Sequence, residues 1–177
     1  MCAMTFDGAV MKRMMQSALD LNTQKPGPSA QEQTMAALGR GDCAVCDRVR
    51  YGLAQGIAEY LGTVDTSLKA VYVYEPEYAV AGDSAMPESS TMSPGIHMIA
   101  WVARKSAALS SVLNMLGSSL AEEFQTLACP KANALCYVLT VQVVDDDEVL
   151  GRTGYGALVN SLYVRPIQLW RKDAVVS

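Results

Sequence analysis

The sequence predicts an α+β fold, and three observations in residues 96–144 support that class. Ile96–Val102 is short, apolar and rich in strand-forming residues, which is typical of a buried strand. Apolar residues then recur at steps of three and four, as on one face of a helix. Ala134–Val144 follows as a second strand. We therefore predict N-terminal helices followed by a β-β-α-β-β sheet of about four strands, with one long helix packed on a face.

The long helix between these two strands has a recognisable start, face and end. Ser106 can accept a hydrogen bond from the unpaired N–H groups of its first turn. Cys129-Pro130 ends the helix, because proline disfavours helical geometry in the residue before it. Its apolar stripe consists of Leu109, Val112, Leu113, Leu116, Leu120, Phe124 and Leu127. The strand Ala134–Val144 is apolar on both faces near its start, so we expect it at the centre of the sheet.

The first predicted helix, Phe6–Leu21, carries a face that is rich in methionine. Methionine fills irregular gaps in cores and also adapts to partner surfaces. We interpret the face as core filling, with partner binding as the alternative. The breakers that follow this helix divide the chain into an N-terminal helical segment with a linker, residues 1–41, and a single α+β domain, residues 42–177.

Two further helices are predicted before the sheet begins. Ser29–Leu38 starts with a capping box, and Asp42–Gly62 has a buried stripe at helical spacing. In the second of these, Gly52 and Gly56 lie one turn apart and allow a close approach by another helix.

The remaining strands are placed before and after the central unit. Leu68–Tyr74 alternates apolar and polar residues and is the first strand. Ala157–Trp170 is the last, and Pro166 places it at an edge because proline cannot donate a ladder hydrogen bond. We expect the last two strands to be an antiparallel pair, and the connection between the second and third to be a parallel crossover.

Composition favours self-association and excludes two classes of partner. Half of the residues are hydrophobic, 18% are charged and the mean hydropathy is +0.13, which is apolar for the surface of a monomer. The net charge of −4 and the lack of a basic cluster argue against nucleic-acid binding. No apolar run approaches the roughly 20 residues that span a bilayer, so we expect no membrane insertion.

The chain start and the cysteines bear on where the protein resides. Met1 to Met4 leads into an amphipathic pattern interrupted by Lys12 and Arg13, not into the apolar core of a signal peptide. We expect a cytoplasmic protein. The five cysteines are odd in number, which argues against a secreted disulfide scaffold.

Residues 75–95 form a predicted loop with three prolines and no sustained period. Structureless loops longer than about 15 residues are uncommon in domains, and they are usually functional or disordered. This loop and the first helix are the candidate sites for a protein partner.

Cys43 and Cys46 form a Cys-x-x-Cys motif, which is the one motif in the sequence whose spacing suggests a specific chemistry. On the first turn of a helix after Asp42, the helix dipole favours a thiolate and can lower the thiol pKa, which suits redox exchange. Zinc is the second possibility, with Cys129 and Cys136 completing four thiolates, although their spacing is unlike that of usual structural sites. The alternative is that Cys46 packs as a small apolar residue and Cys43 is idle.

His97 is the only histidine in the sequence, and it lies in an apolar strand on the face shared with Ile99 and Trp101. We interpret it as a hydrogen-bonded core histidine, because no serine or cysteine nucleophile can be placed beside it from sequence. The alternative is a histidine base in a small-molecule enzyme.

Two polar motifs near residue 150 lead to no ligand site. Asp145–Glu148 fails the calcium-loop pattern, because its sixth position is Leu150 where glycine is needed. We predict instead a strand exit that caps a short helical turn. Gly151–Gly156 matches a phosphate loop only in glycine content, and without a predicted helix after it we interpret it as a flexible turn.

These observations favour a non-catalytic interaction protein that associates with itself, as a homo-oligomer, or with a protein partner. The alternative is a thiol-dependent redox or zinc-binding protein that uses Cys43 and Cys46. The sequence contains no catalytic triad, carboxylate pair or nucleotide motif, so we expect no enzyme and no cofactor other than zinc.

Overall fold

The computed structural model describes residues 8–20, 28–40, 42–75, 95–127, 139–163 and 165–172, which form three N-terminal helices followed by a mixture of strands and helices. The helices are α1 Gly8–Asp20, α2 Pro28–Gly39, α3 Cys43–Val64, α4 Ala107–Leu127, α5 Asp146–Gly151 and α6 Gly156–Val159, and the strands are β1 Leu68–Val73, β2 Ile96–Val102, β3 Leu139–Val144 and β4 Ile167–Arg171. This arrangement confirms the α+β class. Most of the predicted 75–95 loop lies outside the described residues, as do Cys129 and Cys136.

The four described strands form one mixed sheet in the order β3-β2-β1-β4. β1 pairs antiparallel with β2 and β4, and β2 pairs parallel with β3, as the predicted crossover requires. The prediction that the strand ending at Val144 is central is wrong, because β3 lies at an edge of this sheet. Its apolar residues have another cause: Leu139, Val141 and Val143 face the main core on one side of the sheet.

The last strand also differs from its prediction. Residues 157–170 are not one strand, because α6 and an irregular segment precede β4. The expected antiparallel pairing of the last two strands is wrong, since β3 and β4 lie at opposite edges of the sheet. The edge position of β4 is confirmed, and Pro166 directly precedes its first residue.

The main core lies between one face of the sheet and a layer made by α1, α3 and α4. The predicted stripe of α4 faces this core, as expected for an amphipathic helix on a sheet. Five of its members are 2% exposed or less: Leu109, Val112, Leu116, Leu120 and Phe124. The hydroxyl of Ser106 accepts a hydrogen bond from the N–H of Leu109 at 3.2 Å, which confirms the predicted cap.

The methionine-rich face of α1 is part of the same core. Met11 and Met15 are fully buried, which confirms core filling as their role. Met14 contacts α3 at Gly56, where an added Cβ would lie 3.1 Å from the Met14 Cγ. This close approach confirms the packing role predicted for Gly56. The division of the chain at residue 41 stays a prediction.

A smaller core covers part of the opposite face of the sheet, where α5 and α6 pack. α5 ends at Gly151, and Arg152 then adopts a left-handed conformation with φ 53°. The predicted turn from Gly151 to Gly156 is therefore correct in position. It is followed by the four-residue helix α6, which the sequence did not predict.

Candidate functional site

The thiol pair lies at the start of α3, where the sequence placed it. The Asp42 carboxylate caps the helix by accepting hydrogen bonds from the N–H groups of Ala44 and Val45, at 3.1 and 3.2 Å. Cys43 is exposed on the first turn, whereas Cys46 is half-buried and packs against the main core. The two side chains therefore differ in their access to solvent.

Burial raises the pKa of the Cys46 thiol above its ordinary value of 9.0. The nearby Cys43, Asp47 and Asp42 act in the same direction, because each would bring a negative charge close to the thiolate. The direction is opposite to the lowered pKa that a place near the helix N-terminus suggests. The protonated thiol is therefore the favoured form of Cys46 at neutral pH.

The zinc alternative depends on residues that the structure does not describe. Cys129 and Cys136 both lie in the segment 128–138, outside the described residues. Within the described ranges, no group of three or more histidine, cysteine or acidic side chains is placed to hold a metal ion. The four-cysteine site stays a prediction.

A polar cluster that the sequence did not predict lies at the end of β1. The Glu75 carboxylate accepts two hydrogen bonds from the Arg50 guanidinium, at 2.9 and 2.6 Å, and one from the Tyr51 hydroxyl at 3.1 Å. A bidentate pair of this kind is among the stronger polar contacts in proteins. With three donors on it, Glu75 anchors the end of β1 to α3 and is poorly placed to act as a base.

His97 is near enough to this cluster for the charges of Glu75 and Arg50 to act on it. Its side chain lies on the face of the sheet opposite the main core, because its neighbours Ile96 and Met98 face that core. Its ring centroid is 5.8 Å from that of Tyr74, and the side chain is half-buried. Burial lowers the pKa of His97, and Arg50 acts in the same direction, whereas Glu75 opposes them. The neutral ring is the favoured form, which agrees with a packing role and does not test the enzyme alternative.

The lowered pKa of His97 predicts a pH dependence of stability. Its pKa in the folded state lies below the unfolded value near 6.5, so the unfolded chain binds the proton more readily. We expect the free energy of unfolding to be highest above that value and to fall as the pH drops through it. Because His97 is the only histidine, the replacement His97→Gln should flatten this slope between about pH 7.5 and pH 5.5.

Urea unfolding of both proteins at several pH values measures this slope. The reference is the original chain under the same conditions, so a uniform loss of stability in the variant does not affect the comparison. A variant that keeps the full slope would show that another group is responsible.

The acidic run after β3 is structural. Asp145 and Glu148 form a capping box, in which each carboxylate accepts a hydrogen bond from the other residue's N–H at 3.1 Å. This confirms the predicted strand exit that caps a helical turn. The Asp146 carboxylate accepts hydrogen bonds from Lys69, at 2.6 and 2.8 Å, and from the Trp101 indole at 2.9 Å. These contacts join α5 to the sheet.

The largest exposed apolar side chains among the described residues all come from one part of the chain. They are Leu150, Tyr155, Leu162, Tyr163 and Ile167, and their exposed fractions are 80%, 45%, 84%, 95% and 51%. We call these five residues the C-terminal apolar surface. Single exposed apolar residues are normal, whereas exposed apolar residues that form a patch are typical of contact sites.

Ring and ladder contacts place two of its members at one end of β1. The ring of Tyr155 lies 6.3 Å from that of Tyr74, and Ile167 is the ladder partner of Val73. Val73 and Tyr74 are consecutive, so Tyr155 and Ile167 lie near the same end of β1 but on opposite faces of the sheet, because Val73 faces the main core and Tyr74 the smaller one. Tyr163 is only four residues before Ile167, which keeps it within reach of that end.

Comparison with known proteins adds no family to this description. No family model, curated protein or solved structure matches the chain. None of the helices in the described ranges is both long enough and apolar enough to cross a membrane. The protein is therefore defined by its α+β fold and by the surfaces described above.

Proposed function

We propose that this is a non-catalytic interaction protein that contacts another protein chain through its C-terminal apolar surface. The observation that carries the proposal is the confinement of the five largest exposed apolar side chains to residues 150–167. Fully burying an exposed leucine or isoleucine side chain in a contact is worth roughly 1.5–3 kcal/mol. Leu162 and Tyr163 are the most exposed of the five, so they have the most to gain from a partner.

The chemistry of the other candidate sites supports this choice. Glu75 is held by Arg50 and Tyr51, and the neutral ring of His97 packs against Tyr74. The methionines of α1 face the main core, so the C-terminal apolar surface is a better contact site than that helix.

Photochemical cross-linking tests the proposal. With Tyr163 replaced by benzoylphenylalanine, irradiation should give an adduct of discrete mass, either from the purified chain alone or in an extract of the cells that make it. A matched control carries the same group in place of Ser110, which is exposed on the polar side of α4. The further change Leu162→Ser should remove the adduct.

The mass of the adduct identifies the kind of partner. Twice the chain mass of 19.0 kDa indicates self-association, and any other mass indicates a different protein. Equal labelling from the two positions, or an adduct that survives Leu162→Ser, would contradict the proposal.

Thiol chemistry at Cys43 and Cys46 is the alternative function. The exposure of Cys43 and its closeness to Cys46 favour it, while the raised pKa of Cys46 opposes it. A thiol titration with a pKa well below about 8.5 would support redox exchange. About one equivalent of zinc in protein purified without added metal, lost on Cys43→Ser, would support a metal site.

A further inference from the structure

Among the described strands, β3 lies at an edge of the sheet and lacks the features that usually protect an edge. Strand edges are commonly blunted by lysine, proline or inward-pointing charges, because their unpaired N–H and C=O groups invite pairing with another chain. β4, at the opposite edge, has such features: Pro166 precedes it and Arg171 ends it. β3, with the sequence Leu-Thr-Val-Gln-Val-Val, has neither a charged residue nor a proline.

The side chains of β3 are also incompletely covered. All of its residues except Val144 are half-buried, although Leu139, Val141 and Val143 belong to the main core. Each of these three apolar side chains therefore keeps part of its surface exposed, beside an edge along which the structure describes no further strand. A further strand along this edge would bury that surface.

The order of residues in β3 is symmetric about Val141. Leu139 and Val143 are apolar and lie on the core face at equal distances from it. Thr140 and Gln142 are polar and alternate to the other face. An antiparallel copy of β3 centred on Val141 would therefore place apolar residues opposite apolar ones and polar residues opposite polar ones.

Neighbouring registers fit less well. A shift of one residue would place Val141 of one copy opposite Gln142 of the other. The core faces of the two copies would then lie on opposite sides of the joined sheet. A shift of two, towards Val144, would place Thr140 opposite Val144. Only the register centred on Val141 places every residue from 139 to 143 opposite a residue of the same polarity.

From this symmetry we propose that the protein forms a dimer in which β3 pairs antiparallel with β3 of a second copy. The two-fold axis passes midway between the two copies of Val141, perpendicular to the sheet, so both helix layers lie on the same side of one continuous sheet. Isologous contacts of this kind are the commonest in soluble homodimers. The dimer would add self-association to the proposed interaction function. Its contact, the β3 edge, is distinct from the C-terminal apolar surface.

Charge pairing across the two-fold tests both the contact and its register. In the proposed register, Thr140 of one copy lies opposite Gln142 of the other. The double variant T140K/Q142K would place like charges opposite each other, and so would T140E/Q142E. Each is expected to be a monomer of about 19.0 kDa by light scattering, whereas the original chain is a dimer of twice that mass.

Mixing the two variants distinguishes loss of the contact from loss of the fold. Equal amounts should form a one-to-one dimer, because every lysine then faces a glutamate. Misfolded variants would not regain a dimer in this way. A monomeric original chain, variants that remain dimeric, or a mixture that stays monomeric would each overturn the proposal.

Disulfide trapping gives a second, independent test. A cysteine introduced by Val141→Cys would lie opposite its own copy across the axis, at a Cα separation of about 4.5–5.5 Å, which is within the range of about 4.4–6.8 Å that a disulfide spans. We expect an oxidised dimer on a non-reducing gel. The control Ile167→Cys lies on the other edge and is more exposed, so it should give no more dimer than the original chain with its native cysteines.

These tests fail separately from the test of the proposed function. Cross-linking from residue 163 does not require an intact β3 edge. An adduct with a different protein, together with a monomeric original chain, would retain the proposed function and reject the dimer. A β3 dimer without any adduct from residue 163 would do the reverse.

Discussion

Replacing Met15 with alanine is expected to lower the free energy of unfolding by about 2–5 kcal/mol, the range typical of deleting a large buried side chain. Met15 is fully buried in the core that α1 shares with α3, α4 and the sheet. The change removes apolar contacts and leaves a cavity that the neighbouring helices fill only in part. Urea unfolding followed by circular dichroism measures the loss.

Gln16→Ala is the matched control for this variant. Gln16 is the next residue of α1 and is exposed, so its replacement should change stability by no more than about 0.5 kcal/mol. If Met15→Ala were equally mild, α1 would not be an integral part of the core. The methionine-rich face would then again be a candidate for partner binding.

Replacing Gly156 with alanine is expected to destabilise the protein by about 1–3 kcal/mol, because the added methyl group meets fixed backbone. A Cβ at this position would clash with the carbonyl group of Glu148 and lie 2.8 Å from the backbone N of Val149. α6 and α5 would have to separate to accommodate it. Unfolding free energy and amide exchange in residues 146–159 measure the effect.

Gly117→Ala is the opposite case and serves as its control. Gly117 lies within α4, and a Cβ there would have no atom within 4 Å. Alanine at this site should stabilise the protein by roughly 0.5–1 kcal/mol, since glycine is a poor helix former. The same change of residue should therefore have opposite signs at the two positions. Equal effects would show that the α5–α6 contact is not closely packed.

The sequence correctly predicted those helices and strands whose position depends on residues within them or next to them. β2 has the predicted bounds, Ile96–Val102, because a short apolar run between breakers has few alternatives. α3 begins after Asp42 because the carboxylate caps it. In both cases the interaction that defines the element lies within a few residues of it.

The order of strands could not be predicted in the same way, because pairing depends on residues far apart in the chain. β3 was expected at the centre because the segment Ala134–Val144 is so apolar, yet a half-covered edge strand has a similar composition. The composition of 157–170 favours a single strand, although Asn160-Ser161 and Pro166 interrupt the segment. Those breakers indicate that Leu162 and Tyr163 lie outside the sheet, as they do in the structure.

The candidate sites show the same difference between features set by local sequence and features set by distant residues. The helical position of Cys43 followed from local sequence, but the raised pKa of Cys46 depends on burial against distant residues. The contact between Arg50 and Glu75 joins residues 25 positions apart, and no local signal marks it. The symmetry of residues 139–143 was visible in the sequence, but its meaning depended on knowing that β3 is an edge strand.

The mass of the unmodified chain in solution tests self-association most directly. Sedimentation equilibrium at increasing protein concentration should show the mass rising from 19.0 kDa towards twice that value and no further, because a β3 contact about a two-fold axis closes at two copies. A mass that stays at 19.0 kDa over the whole range would contradict the dimer.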